Sequence, residues 1–93
     1  MIQSFAASET QLLWETGKSR GFPADIARTA LRKLLIVHGA GDLSDLRVPP
    51  GNRLEKLKSD RKGQHSIRIN NQYRICFAWK HDGAYEVEIT DHH

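Results

Sequence analysis

The sequence predicts an α+β fold, in which an N-terminal strand and two helices precede a mainly antiparallel β-sheet and both helices pack on one face of it. Helical spacing of apolar residues in the first half, at Ile26, Ala30 and Leu34, is one basis for this prediction. Strand-like alternation of apolar and polar residues in the second half is the other. The 93 residues are enough for one modest core, so we expect a single domain, residues 1–93.

The N-terminal segment is expected to form a short strand and a short helix. Residues 1–5 are mostly apolar and fit a first strand or an ordered arm. Ser8 and Gln11 have capping-box spacing, which predicts a helix that starts at Glu9. Gly17 is suited to end it. The buried residues of this helix are expected to be Leu12 and Leu13.

A second helix is predicted from Pro23, which is well placed in a first helical turn, to Gly39. His38 lies near its end, where the helix dipole favours an imidazolium, and we interpret this residue as structural. The apolar stripe expected to cover the sheet is Ile26, Ala27, Ala30, Leu31, Leu34 and Leu35. The residues expected to hold the following loop to the core are Leu43, Leu46 and Val48.

Residues 57–79 organise the sheet, because their alternation fixes a strand register. A three-residue loop of Asn70, Asn71 and Gln72, with an Asn in the left-handed region, makes one face almost wholly apolar. A two-residue turn would place Ile67 opposite Arg74 and send a core set to the wrong face. The preferred register pairs Ile69 with Tyr73, Ile67 with Ile75 and His65 with Phe77.

The next hairpin is predicted to have a loop of His81, Asp82 and Gly83, with Gly83 at a left-handed position. Its expected pairs are Trp79 with Tyr85, Phe77 with Val87 and Ile75 with Ile89. This register is expected to bury the aromatic residues of the sheet: Tyr73, Phe77, Trp79 and Tyr85.

The other face of the sheet is predicted to be basic and exposed. Arg68 lies opposite Arg74 in this register, Arg74 opposite Thr90 and Cys76 opposite Glu88. Because like charges directly across a ladder are destabilising, the arginine pair indicates a surface for an anion such as phosphate. The alternative is that Glu88 neutralises the pair on an ordinary solvated face. The cations that crowd into this third of the chain favour a polyanionic partner and are Arg53, Lys56, Lys58, Arg61, Lys62, Arg68 and Arg74.

Composition excludes several other classes of protein. The net charge is +3, and the single cysteine, Cys76, excludes an internal disulfide. The sequence has no signal-peptide pattern and no long apolar run, so we expect a cytoplasmic protein with no membrane contact. His38, His65 and His81 lack metal-ligand spacing, and no nucleotide-binding motif is present. We therefore expect no metal and no cofactor.

Four segments together resemble HigB toxins of the RelE/ParE superfamily: residues 52–61, 66–69, 72–77 and 87–93. The resemblance extends over essentially the whole chain. It implies the RelE-like toxin fold and a toxin that cleaves mRNA in the ribosomal A site. It also implies a HigA-like antitoxin with a helix-turn-helix domain as partner, so that DNA is contacted only through the antitoxin.

The resemblance also assigns candidate catalytic residues. Lys58 matches the family's lysine, Arg74 its strand arginine, and Asp91 and His93 the ends of its terminal Asp-Tyr-His motif. His92 replaces the usual tyrosine, which weakens base stacking and adds a titratable group. Some relatives have histidine where this chain has Glu55. Glu55 is then either a base or an ion-pair partner of Lys56 or Lys58.

The implied chemistry is transesterification, in which the RNA 2′-hydroxyl attacks its own phosphodiester. Arg74 and Lys58, with Arg68, would stabilise the charge on the phosphate, and an exposed Arg74 is expected to contribute little to the core. His93 and His92 suit proton transfer, because an unperturbed imidazole has a pKa of about 6.5. Asp91 acts directly or orients an imidazole, and the assignment of acid and base stays open. The remaining RNA contacts are expected from Arg53, Lys56, Arg61 and Lys62.

Two alternatives come from other functional classes. A ParE-like toxin would inhibit gyrase without catalysis, and the terminal Asp91, His92 and His93 disfavour that reading. A plain RNA-binding module would need exposed aromatic residues on the basic face, where the predicted register leaves none.

Overall fold

The computed structural model describes residues 1–91, which form two helices and a four-stranded antiparallel sheet whose strands lie side by side in the order in which they occur along the chain. The predicted α+β class is confirmed. His92 and His93 lie outside the described residues. Short 3-10 turns at Leu43–Arg47, Pro50–Asn52 and Ser59–Arg61 connect the elements, which are α1 (Ser8–Thr16), α2 (Ala24–Gly39), β1 (Glu55–Lys56), β2 (Gln64–Arg68), β3 (Tyr73–Lys80) and β4 (Gly83–Asp91).

The N-terminal segment forms an ordered arm along β4. Ile2 bridges Ala84 and Phe5 bridges Val87, both in parallel orientation, but these bridges are isolated and form no regular strand. Gly83 lies against this arm with a φ of 133°, and a Cβ at Gly83 would lie 1.8 Å from the Met1 carbonyl oxygen. The close approach of the arm therefore requires glycine at this position.

Helix α1 ends at Gly17 as predicted, with Gly17 at a φ of 73°. The predicted capping box is wrong, because Ala7 is the N-cap and the Gln11 amide donates to the Glu15 carboxylate at 3.1 Å. Thr10 is buried instead, and its Oγ1 accepts a hydrogen bond from the Ile89 amide at 3.1 Å. That contact sets the rotation of the helix, so Leu13 is buried while Leu12 is 38% exposed, against the prediction.

Helix α2 covers the sheet with a stripe rotated from the predicted one. Leu35 is 56% exposed, and Val37 takes a buried position that the prediction omitted. Pro23 is the N-cap rather than a residue of the first turn. The structural role predicted for His38 is confirmed, because its Nδ1 accepts a hydrogen bond from the Ile2 amide at 3.1 Å. The buried stripe is Ala27, Ala30, Lys33, Leu34 and Val37.

The register of β2 and β3 is confirmed, since Ile67 lies opposite Ile75 and His65 opposite Phe77. No left-handed residue closes their loop. Asn70 Oδ1 instead accepts hydrogen bonds from the amides of Gln72 at 2.8 Å and Tyr73 at 2.7 Å. Alternation of apolar residues was therefore a sufficient guide to this pairing, although the loop chemistry differs from the expected one.

The β3–β4 register is confirmed only in its second half, where Ile75 pairs with Ile89. The predicted three-residue loop is wrong: Lys80 pairs with Gly83, and Tyr85 lies opposite Ala78 rather than Trp79. A bulge restores the register, with Glu86 at a φ of 55°. Ser4 holds this bulge through its Oγ, which accepts from the Glu86 amide at 2.9 Å.

The bulge also changes the face on which Tyr85 lies. Because Tyr85 is paired with Ala78, it leaves the apolar face, and the prediction that it is buried with Phe77 is wrong. Val48 was likewise expected in the core but is 71% exposed. The helix-covered face is apolar as predicted, and its fully buried residues include Ile67, Ile75, Phe77 and Val87.

Candidate active site

The face of the sheet away from the helices carries two of the candidate catalytic residues, Arg74 and Glu55, and we call it the polar face. Strand pairing places Glu55 opposite Ser66, Arg68 opposite Arg74, and Arg74 opposite Thr90. Side chains of directly opposite residues share a face. The residues of the polar face are Glu55, Ser66, Arg68, Arg74, Cys76, Glu88 and Thr90.

Arg74 is the centre of this face, and it is buried rather than exposed. Only 7% of its surface is accessible, so the predicted exposure is wrong. Its Nε donates to Ser66 Oγ at 2.8 Å, and its Nη2 donates to the Arg53 carbonyl at 2.8 Å. The residues before β1 pass over the sheet, and they hide an arginine that alternation alone would leave in solvent.

A buried asparagine holds these covering residues in place. Asn52 is fully buried, and its Nδ2 donates to the carbonyls of Leu46 and Val48, both at 3.2 Å. Its Oδ1 accepts from Lys33 Nζ at 2.5 Å. Burial lowers the pKa of this lysine, and the nearby cations Arg32 and Arg68 lower it further. Asn52 thereby fixes the backbone immediately before the carbonyl that Arg74 uses.

Glu55 lies over the outer end of the Arg74 side chain. Its Oε1 is 3.7 Å from Arg74 Nη1, and the Glu55 side chain is 56% exposed. The sequence suggested an ion pair with Lys56 or Lys58, so the expected partner is wrong and Arg74 takes that place. Among the three guanidinium nitrogens, Nη1 is the one whose neighbour in the described residues is an exposed carboxylate.

Arg68 and Arg74 are paired across the strands as predicted, but their head groups make different contacts. The Arg68 guanidinium donates to the Asn71 side chain, whereas the Arg74 guanidinium points to Ser66 and Arg53. Separate partners reduce the repulsion that two facing like charges would cause.

Glu88 does not neutralise the arginine pair, as one alternative had suggested. Its Oε1 lies 2.6 Å from Arg61 Nη2, and this contact raises the pKa of Arg61. Arg61 was expected to bind RNA, and in this structure it closes one side of the polar face through that ion pair. The charge beside Arg74 is provided by Glu55.

Lys56 of β1 and the lysines of the loop that follows it form a basic rim. Lys56, Lys58 and Lys62 line one open cavity of about 390 Å³ together with Leu57 and Ser59. Lys58 is exposed and precedes the turn at Ser59–Arg61. Lys56 lies opposite His65, so its strand position belongs to the helix side of the sheet rather than to the polar face.

Asp91 is the C-terminal candidate that the structure describes. Asp91 pairs with Tyr73, while its neighbour Thr90 lies opposite Arg74. The Asp91 carboxylate accepts a hydrogen bond from the side-chain amide (Nε2) of Gln72 at 3.2 Å. The structure therefore places Asp91 at the end of the β2–β3 loop. His92 and His93, the predicted proton-transfer residues, lie outside the described residues.

Sequence reasoning missed two residues of this site, Ser66 and Asn52. Ser66 had a usable signal, because the predicted register already placed it on the Arg74 face, one alternation from Arg68. Asn52 had no sequence signal other than its position after Pro49, Pro50 and Gly51. Its role depends on contacts with Lys33 and Leu46, which are distant in sequence.

Among residues 1–91 there is no group of three or more His, Cys, Asp or Glu side chains arranged to hold a metal ion. Within the same range, neither helix has the length and apolar character needed to cross a bilayer.

Comparisons with known proteins point in one direction. A family model described as the RelE-like toxin HigB of a type II toxin–antitoxin system matches residues 3–93. The chain is 43% identical over 75 residues to Toxin HigB-1 of Vibrio cholerae, and this alignment covers 81% of this chain and 79% of that protein. It is 31% identical over 93 residues to Endoribonuclease HigB of Proteus vulgaris, which covers 100% of both chains.

Proposed function

The chain belongs to the HigB family of RelE-like toxins of type II toxin–antitoxin systems, and we propose that it is an endoribonuclease that cleaves mRNA on the ribosome. A relative that aligns with it over 100% of both chains is named an endoribonuclease. The geometry supports the same activity, because the polar face offers a fixed cation and the basic rim at β1 offers further positive charge to an RNA strand.

The observation that carries this proposal is the fixed geometry of Arg74. Two hydrogen bonds, to Ser66 Oγ and to the Arg53 carbonyl, hold the guanidinium before any substrate binds. An arginine stays protonated in proteins, so this is a permanent positive charge in a largely water-excluded position. Preorganised donors of this kind stabilise charge that develops in a transition state. Arg74 Nη1 is the atom that would face the scissile phosphate.

Glu55 occupies the position that this phosphate would take. Its carboxylate is an anion 3.7 Å from Arg74 Nη1, and its exposed side chain is free to turn away. This geometry favours the ion-pair alternative for Glu55 over the role of a base, with Arg74 as the partner. Binding of RNA then exchanges one anion for another at the same nitrogen.

The reaction we propose is metal-independent transesterification. A base takes the proton of the 2′-hydroxyl, O2′ bonds to phosphorus, the P–O5′ bond breaks, and an acid protonates O5′. The products are a 2′,3′-cyclic phosphate and a free 5′-hydroxyl. Arg74, with Lys58 and Arg68, stabilises the negative charge. Proton transfer is assigned to His92, His93 and Asp91.

The family identifies the partner as an antitoxin. We propose that it is HigA-like, with a helix-turn-helix domain that alone contacts DNA. The ribosome and mRNA are the other proposed partners, and the cytoplasm is the proposed location. A site with few acid-base groups gains most when another molecule positions its substrate. We therefore propose that the protein cleaves mRNA that is bound to the ribosome.

A non-catalytic RNA-binding module is the second candidate, because Tyr85 lies on the polar side of the sheet. Lys80 Nζ lies 4.7 Å from the centre of its ring. An aromatic ring and a cation on a sheet surface are features that stack and bind single-stranded RNA.

One experiment separates these functions. A single transcript is incubated with the protein, free in one sample and under translation in the other, and its cleavage is mapped. Cleavage confined to the translated sample is the expected result. Equal cleavage rates would contradict the dependence on the ribosome. RNA binding without cleavage in either sample would favour the second candidate.

A further inference from the structure

A second basic cavity lies on the helix side of the sheet at its β1 edge. Its volume is about 380 Å³, and it opens between the Leu43–Arg47 turn and the strands β1 and β2. Leu43 and Leu54 form an apolar floor that packs against the core. Arg47 and Lys56 are exposed residues of its rim. The cavity thus combines an apolar surface with two cations.

His65 adds an aromatic wall to this cavity. Its ring stacks against Phe77 with an interplanar angle of 25° and a centroid distance of 6.4 Å. Burial lowers the pKa of His65, and the neighbouring Lys56 lowers it further. The ring is therefore largely uncharged near pH 7. Within residues 1–91, no group forms a hydrogen bond with its buried Nδ1, so the ring is held by packing.

We propose that this cavity binds one nucleotide of single-stranded RNA, with its base against His65 and its phosphate at Arg47 and Lys56. The inference rests on the proposed ribonuclease function and extends it to a subsite outside the polar face. Bases in single-stranded RNA stack on flat side chains, and arginine and lysine pair with their phosphates.

The position of β1 connects this cavity with the catalytic centre. Glu55 and Lys56 are adjacent in an edge strand, where Glu55 contacts Arg74 on one face and Lys56 lines the cavity on the other. Lys56 also lines the cavity that contains Lys58 and Lys62. A strand of RNA that passes over the β1 edge would meet these cations in succession.

The rim of the cavity also carries a carboxylate that can accept hydrogen bonds from a base. Asp42 and Ser44 line it beside Arg47, and the Ser44 hydroxyl donates to the Asp42 carboxylate at 2.9 Å. A carboxylate accepts hydrogen bonds from the amino groups of bases, as it does from cytosine N4.

The test uses the full-length protein and a short 2′-O-methyl oligoribonucleotide, which lacks the attacking hydroxyl and stays intact. Arg47→Glu should weaken its binding about tenfold, because an anion replaces one of the two cations that pair with the phosphate. Arg28→Glu is the matched control, because Arg28 is an exposed arginine of α2 outside this cavity. His65→Phe keeps a ring at the wall and should bind nearly as well as the parent.

Ribosome experiments identify the source of the nucleotide. If it belongs to the mRNA, Arg47→Glu raises the KM for translated message and leaves binding to vacant ribosomes unchanged. If it belongs to ribosomal RNA, the same variant weakens binding to vacant ribosomes. Equal behaviour of Arg47→Glu and Arg28→Glu in every assay, with the parent active, would overturn the subsite alone. A parent that binds RNA but cleaves none would instead overturn the proposed function.

Discussion

The two faces of this sheet are stabilised in different ways. On the helix side, Ile67, Ile75 and Phe77 are fully buried beneath α2 and are fixed by apolar packing. On the polar face, Arg74 is buried almost as deeply, but the hydrogen bonds that it donates to Ser66 Oγ and to the Arg53 carbonyl fix it. Alternation decides which face a residue occupies. The segment before β1, which has no periodic pattern, decides whether a residue of the polar face is exposed.

The largest effect is expected on the packed face. Phe77→Ala should lower the free energy of unfolding by about 3–5 kcal/mol, because a fully buried aromatic side chain leaves a cavity. Urea unfolding followed by circular dichroism measures this loss. Tyr85→Ala is the matched control, since Tyr85 is a partly exposed aromatic residue on the other side of the sheet, and it should cost clearly less. Equal losses for both variants would remove the distinction between the faces.

A smaller effect, on activity as well as stability, is expected at Ser66. Ser66→Ala deprives Arg74 Nε of its acceptor and should cost roughly 1–3 kcal/mol, the range for a buried donor left without a partner. It should lower kcat more than it changes KM, because the guanidinium is still present but less well oriented.

Thr90→Val is the control for Ser66→Ala. Thr90 lies opposite Arg74 on the same face, but its hydroxyl contacts Cys76 Sγ at 3.3 Å rather than the guanidinium. This variant should keep kcat near the parental value. If Ser66→Ala and Thr90→Val had the same kcat, Ser66 would have no positioning role.

The smallest effect is the pH dependence expected from His65. The pKa of this residue in the folded protein is lowered from its ordinary value of 6.5, first by burial and then by Lys56. The unfolded chain therefore binds the proton more readily, and protonation favours unfolding. The stability of the protein should fall as the pH drops below about 6.5 toward the lowered pKa.

His65→Gln should flatten this part of the stability profile, as measured by thermal unfolding between neutral and mildly acidic pH. His81→Gln replaces an exposed histidine of the β3–β4 turn and serves as the control. A His65→Gln profile with the parental slope would show that another group causes the acid sensitivity.

The same contrast explains how much of the structure could be predicted from the sequence. The β2–β3 register followed from a local alternation that only one loop length preserves, and it is confirmed. The prediction of the β3–β4 turn was wrong, because Ser4 supports a bulge at Glu86. That contact joins residues that are far apart in the chain. Similarly, Thr10 contacts Ile89 and thereby rotates α1.

The candidate site shows the same limit. Its residue types and faces were predicted from the register and the family resemblance, and Arg74 does lie opposite Arg68. Its burial was not predicted, because it depends on the segment that Asn52 fixes through Leu46, Val48 and Lys33. These interactions have no periodic signal. The roles of His92 and His93 stay predictions.

The central claim is that a preorganised Arg74 stabilises the charge on the cleaved phosphate. Its most direct test is the rate at which Arg74→Ala cleaves translated mRNA. This variant leaves Ser66 Oγ and the Arg53 carbonyl without a donor at a cost of roughly 1–3 kcal/mol, so the folded fraction is measured alongside. Arg74→Lys, which keeps the charge without the planar fork, is the matched control. We expect folded Arg74→Ala to cleave about 10²–10³-fold more slowly than the parent at saturating protein, with Arg74→Lys in between. Cleavage by folded Arg74→Ala at the parental rate would contradict the claim.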